Sequence, residues 1–148
     1  MRLDKYTKIA VIDISEHILL GLVSVSPLIV KDPVLFVLAA FFSVFPDIDH
    51  LIAARSFSIK QMLSLGRRPF LHSIPAVFLI SLVVYLFSHD FLVTYISFIT
   101  GLTHLVWDLC TGGVRLFYPL KKDFQLSQLV GFVLIFTFMI LSFIIIQI

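Results

Sequence analysis

Seven residues of this chain bring imidazole and carboxylate together at spacings that can build a site: His17, Asp47, Asp49, His50, His72, His104 and Asp108. His104 and Asp108 stand four residues apart, so on a helix both side chains leave the same face. The string Asp47, Ile48, Asp49, His50 supplies three more candidates within four residues. Imidazole nitrogen and carboxylate oxygen are the ligand set of a divalent metal, zinc first and manganese second, and so many carboxylates can hold one ion or two. An ion held this way lowers the pKa of water and stabilises charge on a phosphoryl or carbonyl oxygen, which is the chemistry of hydrolysis. His17, Asp47, His72, His104 and Asp108 are the expected ligands, and Asp49 or His50 is a ligand or general base. Arg68 and Ser73 complete the catalytic candidates, as contacts to substrate or to the ligands.

Plainer readings compete with each residue taken singly. Asp13 at a helix end can be solvated or paired with Lys5 or Lys8, and Glu16 stands near it. His17 can be a hydrogen-bonded fastener between helices, because polar side chains also act as glue within a bilayer. His72 can cap a helix or touch lipid headgroups, and Arg67 and Arg68 can be anchors on the cytoplasmic side. A charged group within a span costs about 2.5–3.5 kcal/mol, so each needs a partner, water or a cation. The number of such residues on one side of the membrane favours a shared site.

The elements that must position them are transmembrane. Of the 148 residues, 59% are hydrophobic and only 14% charged, with mean hydropathy +1.07. A soluble domain carries roughly 25% charged residues, so lipid is the solvent for much of this chain. Five stretches approach the roughly 20 residues of a spanning helix: 9–30, 33–54, 69–87, 91–110 and 126–148. The second is the weakest, since Pro46 should kink or end it. Between the second and third, residues 56–65 can form a short helix in the interface. The expected fold is an all-α bundle of about five transmembrane helices in a single domain, 1–148.

Ten of the eleven Lys and Arg residues fall before the first span, between the second and third, or between the fourth and fifth. Lys31 alone falls elsewhere, which places the N-terminus in the cytoplasm and the seven site residues toward that face. The net charge of +2 gives no reason to expect nucleic acid. The single cysteine, Cys110, leaves no internal disulfide to form.

Four short strings occur in order along the chain: EHxxxG at 16–21, PDIDH at 46–50, RxxxHS at 68–73 and GxxHxxxDxxTxGxxxxxP at 101–119. Together they resemble the YdjM-type family of membrane-bound, metal-dependent hydrolases. The resemblance covers most of the chain and implies a multi-pass inner-membrane protein. Its ligands would be His17, Asp47, Asp49 or His50, His72, His104 and Asp108. The family is considered distantly similar to zinc-dependent phospholipase C and the single-strand nucleases related to it, which implies phosphoester hydrolysis of a lipid-like substrate. One departure stands out: Arg67 occupies a place where the family usually has histidine.

The expected function is a membrane-embedded, metal-dependent hydrolase acting on a phosphoester near the headgroup region, with a membrane lipid or lipid-like molecule as its partner. One rival is a cation-binding or transport protein. Transport sites usually lie near the bilayer midplane, whereas these residues gather toward one face. The other is a structural subunit whose polar residues only fasten helices.

Overall fold

Short polar side chains start the long helices, and prolines shape where they begin and bend. The computed structural model describes residues 4–30, 32–65 and 69–147, and among these it is helical without a named strand. Helix α1, Lys5–Ser24, is capped by Asp4, whose carboxylate accepts the N–H groups of Tyr6 and Thr7. After a break at Val25, α2, Ser26–Ile29, opens with Pro27 in its first turn. Asp32 caps α3, Pro33–Val44, where Pro33 takes the first helical position, at which a missing N–H costs nothing.

Pro46 neither ends the second span nor leaves it undisturbed. A 3₁₀ turn, Phe45–Asp47, carries the chain from α3 into α4, Ile48–Ala54. Arg55 then stops α4 in the left-handed conformation, with φ 49°. The short helix expected within residues 56–65 is α5, Ile59–Leu63. Helix α6, Ile74–Ser88, begins five residues later than the hydrophobic pattern suggests, because Ser73 is its N-cap and accepts the N–H of Ala76. Asp90 caps α7, Phe91–Thr111, and Ser127 caps α8, Gln128–Ile145.

Among the described residues, three helical stretches are long and apolar enough to cross a membrane: Pro33–Ala54, Phe91–Thr111 and Gln128–Ile145. Helix α6 is equally apolar but has 15 residues. At 1.5 Å per residue that is about 22 Å, shorter than a bilayer core of about 30 Å. Helix α1 has 20 residues, and Lys5, Lys8, Asp13 and Glu16 interrupt it.

Helix α7 is the axis of the bundle, packing against α1, α3, α6 and α8. Twelve of its 21 residues are buried, against three of 18 in α8, which turns Phe132, Phe136 and Phe143 outward. Gly21 of α1 lies against Ser43 of α3, and Gly131 of α8 against Cys110 of α7. In each pair a Cβ on the glycine would collide, so small residues set how closely the helices approach. The loop between α7 and α8 is also tied down. Val114 and Phe124 exchange backbone hydrogen bonds of 3.1 and 2.9 Å, and the Leu116 carbonyl accepts the N–H of Ile74 at the start of α6.

Candidate metal centre

The residues predicted to share a site do meet, and four separate segments deliver them. His17 comes from α1, Asp47, Asp49 and His50 from the bend between α3 and α4, His72 from the strap before α6, and His104 with Asp108 from α7. His17, His72, His104 and Asp108 are essentially removed from solvent.

Four donor atoms form the centre of this arrangement. Nε2 of His72 lies 3.3 Å from Oδ1 of Asp47 and 3.3 Å from Oδ2 of Asp108. Nε2 of His104 lies 3.6 Å from that same Asp47 oxygen and 3.3 Å from that same Asp108 oxygen. The contact of His72 with Asp47 is a long hydrogen bond, and all four separations exceed the usual 2.7–3.2 Å. Each imidazole nitrogen thus faces both carboxylate oxygens, an arrangement in which nitrogen and oxygen donors can share a cation. The other oxygen of Asp108 faces His17, 3.4 Å from its Nε2. The rings of His17 and His104 stack, with centroids 3.7 Å apart and planes 16° from parallel, so both present nitrogen to one carboxylate.

Buried polar atoms in this cluster are under-satisfied by protein alone. Among the described residues, both ring nitrogens of His17, Nε2 of His104 and Oδ2 of Asp47 are buried without a hydrogen-bond partner. Leaving such a group unpaired costs about 1–3 kcal/mol, and a native interior rarely tolerates several together. A shared cation would satisfy them. Three groups of side chains can hold one: His17 with His104 and Asp108, Asp47 with His50 and His72, and Asp13 with His17 and Asp47. The residues present therefore fit a divalent metal.

Other contacts orient the imidazoles. Nδ1 of His104 is 2.7 Å from the carbonyl oxygen of Ser43, so it carries the proton and donates it, leaving the Nε2 lone pair for the centre. Proline has no N–H, and a 3₁₀ turn closes its hydrogen bonds one residue earlier, so carbonyls at the end of α3 are left for other donors. Asp49 lies on the Nδ1 side of His72 without hydrogen-bonding to it: its Oδ2 accepts the N–H of Leu71 at 2.6 Å, and its Oδ1 is 3.3 Å from Nδ1 of His72, close enough for charge to act between them.

Asp49 thus faces the strap and belongs to none of the three groups, whereas His50 faces Asp47, with Nε2 4.0 Å from Oδ1. Ser73 is fully buried, and its hydroxyl donates to the Phe70 carbonyl at 2.8 Å while capping α6. Arg68, a predicted substrate contact, and Arg67, the departure from the family pattern, lie outside the described residues. Glu16 stands apart from the centre and accepts the indole N–H of Trp107 at 2.9 Å. Asp13 comes nearer than its place at a helix end suggests, 3.8 Å from Nε2 of His17. The Ser43 carbonyl was hidden from sequence reading, since a backbone acceptor has no residue signature; Pro46, three residues on, is the one sign of it.

A family model described as YdjM inner membrane protein matches residues 12–147. No curated protein and no solved structure matches the chain. The match spans all the helices that build the centre, from within α1 to the end of α8, and agrees with helices apolar enough to cross a membrane. The chain belongs to the YdjM inner membrane protein family.

Proposed function

We propose that this protein is a membrane-embedded, metal-dependent hydrolase that cleaves a phosphoester at the headgroup level. The observation that carries the reading is the quartet of donor atoms from Asp47, His72, His104 and Asp108, in which each imidazole nitrogen lies 3.3 to 3.6 Å from both carboxylate oxygens. In this reading α1 and α6 also cross, giving five spans with the N-terminus in the cytoplasm and the centre toward that face. Zinc is the expected ion, manganese the second choice, with His17 and Asp13 beside the quartet for a second ion.

When bound, a divalent cation supplies Lewis acidity, activating water and offsetting charge on the phosphoryl oxygens. The protein's own groups do the rest. The Ser43 carbonyl holds the Nδ1 side of His104, so that ring cannot turn its lone pair away, and the Asp49 carboxylate faces Nδ1 of His72. His50, partly buried beside Asp47, would serve as the base, because a cation held by His72 and His104 would occupy their Nε2 lone pairs. The water oxygen adds to phosphorus, the ester P–O bond breaks, and the proton released is taken at Nε2 of His50 and returned to the leaving oxygen. Burial of His72, His104 and Asp108 keeps bulk water from competing for these groups, while Asp47 meets the cleft. A lipid or lipid-like ester suits a chain with so little mass outside the helices.

The test is metal content per chain by elemental mass spectrometry, with hydrolysis of p-nitrophenyl phosphoesters measured on the same detergent-purified sample. One or two equivalents of zinc or manganese are expected in the parent. In His104→Ala, Asp108→Ala protein that still elutes as a folded species, the metal should be lost and hydrolysis should fall at least a hundredfold. No bound metal in the parent after dialysis against zinc and manganese would sink the proposal.

A further inference from the structure

The centre opens on one side into a cleft of about 270 Å³ between α1, α4 and α5. Its walls are apolar, from Ala10, Ile14, Leu51, Ile59 and Leu63, while Asp13, Asp47 and His50 line its polar end. A second recess, along α1, α2 and α3, is lined by Leu19, Leu22, Ile29, Val30 and Phe36 among others, and among the described residues no titratable side chain lines it. That is what an ordinary lipid-facing seam between helices looks like. The first cleft differs because hydrocarbon-like walls lead directly to two members of a group that can hold a cation, Asp47 and His50.

A cleft with one apolar and one ligand-bearing end fits an amphiphile. The polar end carries two carboxylates, Asp13 and Asp47, which repel an anion until a cation lies between them and it. With a cation present the sign reverses, and a phosphate is drawn to the end where the hydrocarbon walls stop. We infer that the cleft between α1, α4 and α5 seats the hydrocarbon chain of a single phosphate-headed lipid, holding its phosphate at Asp47 and His50. The inference rests on the hydrolase reading for the cation and narrows the substrate to phosphate esters bearing a long alkyl or isoprenoid chain. In a bilayer the chain is already out of water, so the cleft contributes little transfer energy. It contributes position: a chain lying along Ile14 and Leu51 fixes the depth and direction of its phosphate, the kind of preorganisation that makes an encounter productive.

The experiment uses the full chain in lipid nanodiscs, photolabelled with a hexadecyl phosphate carrying a mid-chain diazirine, and the labelled residues are mapped by mass spectrometry. The control is the matching hexadecanol. With zinc present the phosphate probe should label peptides containing Ile14, Leu51 or Leu63 at least fivefold above the alcohol. Chelation should abolish that excess, and unlabelled hexadecyl phosphate should compete where ethyl phosphate does not. Ala10→Trp, which fills the cleft, should remove the excess labelling; Leu63→Trp serves the same purpose if Ala10→Trp does not elute as a folded species. Equal labelling by phosphate and alcohol would make the cleft a lipid-facing seam and overturn the inference. The readout is occupancy, so the two readings fail separately. Zinc-dependent labelling without hydrolysis of any ester would uphold the cleft and overturn the hydrolase. Hydrolysis of soluble esters without cleft labelling would do the reverse.

Discussion

Asp49 tests how this candidate centre is held together, because it lies against His72 without belonging to any group that could hold a metal. Its carboxylate spans the N–H of Leu71 and Nδ1 of His72. An Asp49→Asn substitution keeps the shape and removes the charge that attracts the His72 N–H. Partners of this kind typically change metal affinity by about 10–100-fold. We therefore expect zinc affinity, measured by competition with a chelating dye, to fall within that range without loss of the one-or-two-ion stoichiometry. A fall no greater than that of an exposed carboxylate such as Asp123 would show that Asp49 serves only to fasten the strap. Metal retention should also weaken on acidification, since carboxylate and imidazole must be deprotonated to coordinate. His17, Asp47, His72, His104 and Asp108 were legible in the sequence because ionisable groups are expensive in a membrane and seldom lack a purpose. The division between Asp49 and His50 was not legible, because adjacent residues in a bend take directions that only the local backbone decides.

Among the elements, the contact of α1 with α3 depends on the absence of a side chain at Gly21, which lies against Ser43. That contact lies one helical turn from His17 on one side, and at the carbonyl that orients His104 on the other. Gly21→Leu should cost about 1–3 kcal/mol through overpacking, read as a lower midpoint in thermal unfolding in detergent. Because Ser43 must move, bound zinc should fall in the same variant, while Phe143→Leu on the outward face of α8 should change neither. Helix α7 was placed almost to the residue by its hydrophobicity and ended one residue from expectation. The start of α6 was missed because 69–73 are apolar enough to pass for helix. There the backbone is spent on other bonds: the Ser73 cap, the Leu71 N–H to Asp49 and the Leu116 carbonyl to Ile74. Hydropathy sees none of these.

At the scale of the whole molecule, direction along the chain agrees with the distribution of charge. The strap before α6 opens that helix at the centre, whereas α7 brings His104 and Asp108 in its second half, so these two neighbours run in opposite directions. With five spans, reporter fusions at the two ends should report opposite sides. A phosphatase reporter at the C-terminus should be active and one at the N-terminus inactive, with a cytoplasmic fluorescent reporter giving the converse. Activity at both ends, or neither, would require α1 or α6 to lie on the membrane without crossing it. That α3 to α4, α7 and α8 are apolar enough to cross was legible from length and composition; α1 and α6 were harder to read because one carries charges and the other is short.

The bond between Glu16 and Trp107 joins residues 91 positions apart. At a synthesis rate of about 5–20 residues per second, α1 emerges roughly 5–20 s before its indole partner exists. The same interval separates His17 from His104 and Asp108. For that time the first helix must carry Asp13, Glu16 and His17 without the helix that will shelter Glu16 and His17. The arrival of α7 then supplies the indole for Glu16 and the carboxylate that faces His17, so the last large piece of the centre to be made completes the surroundings of the first.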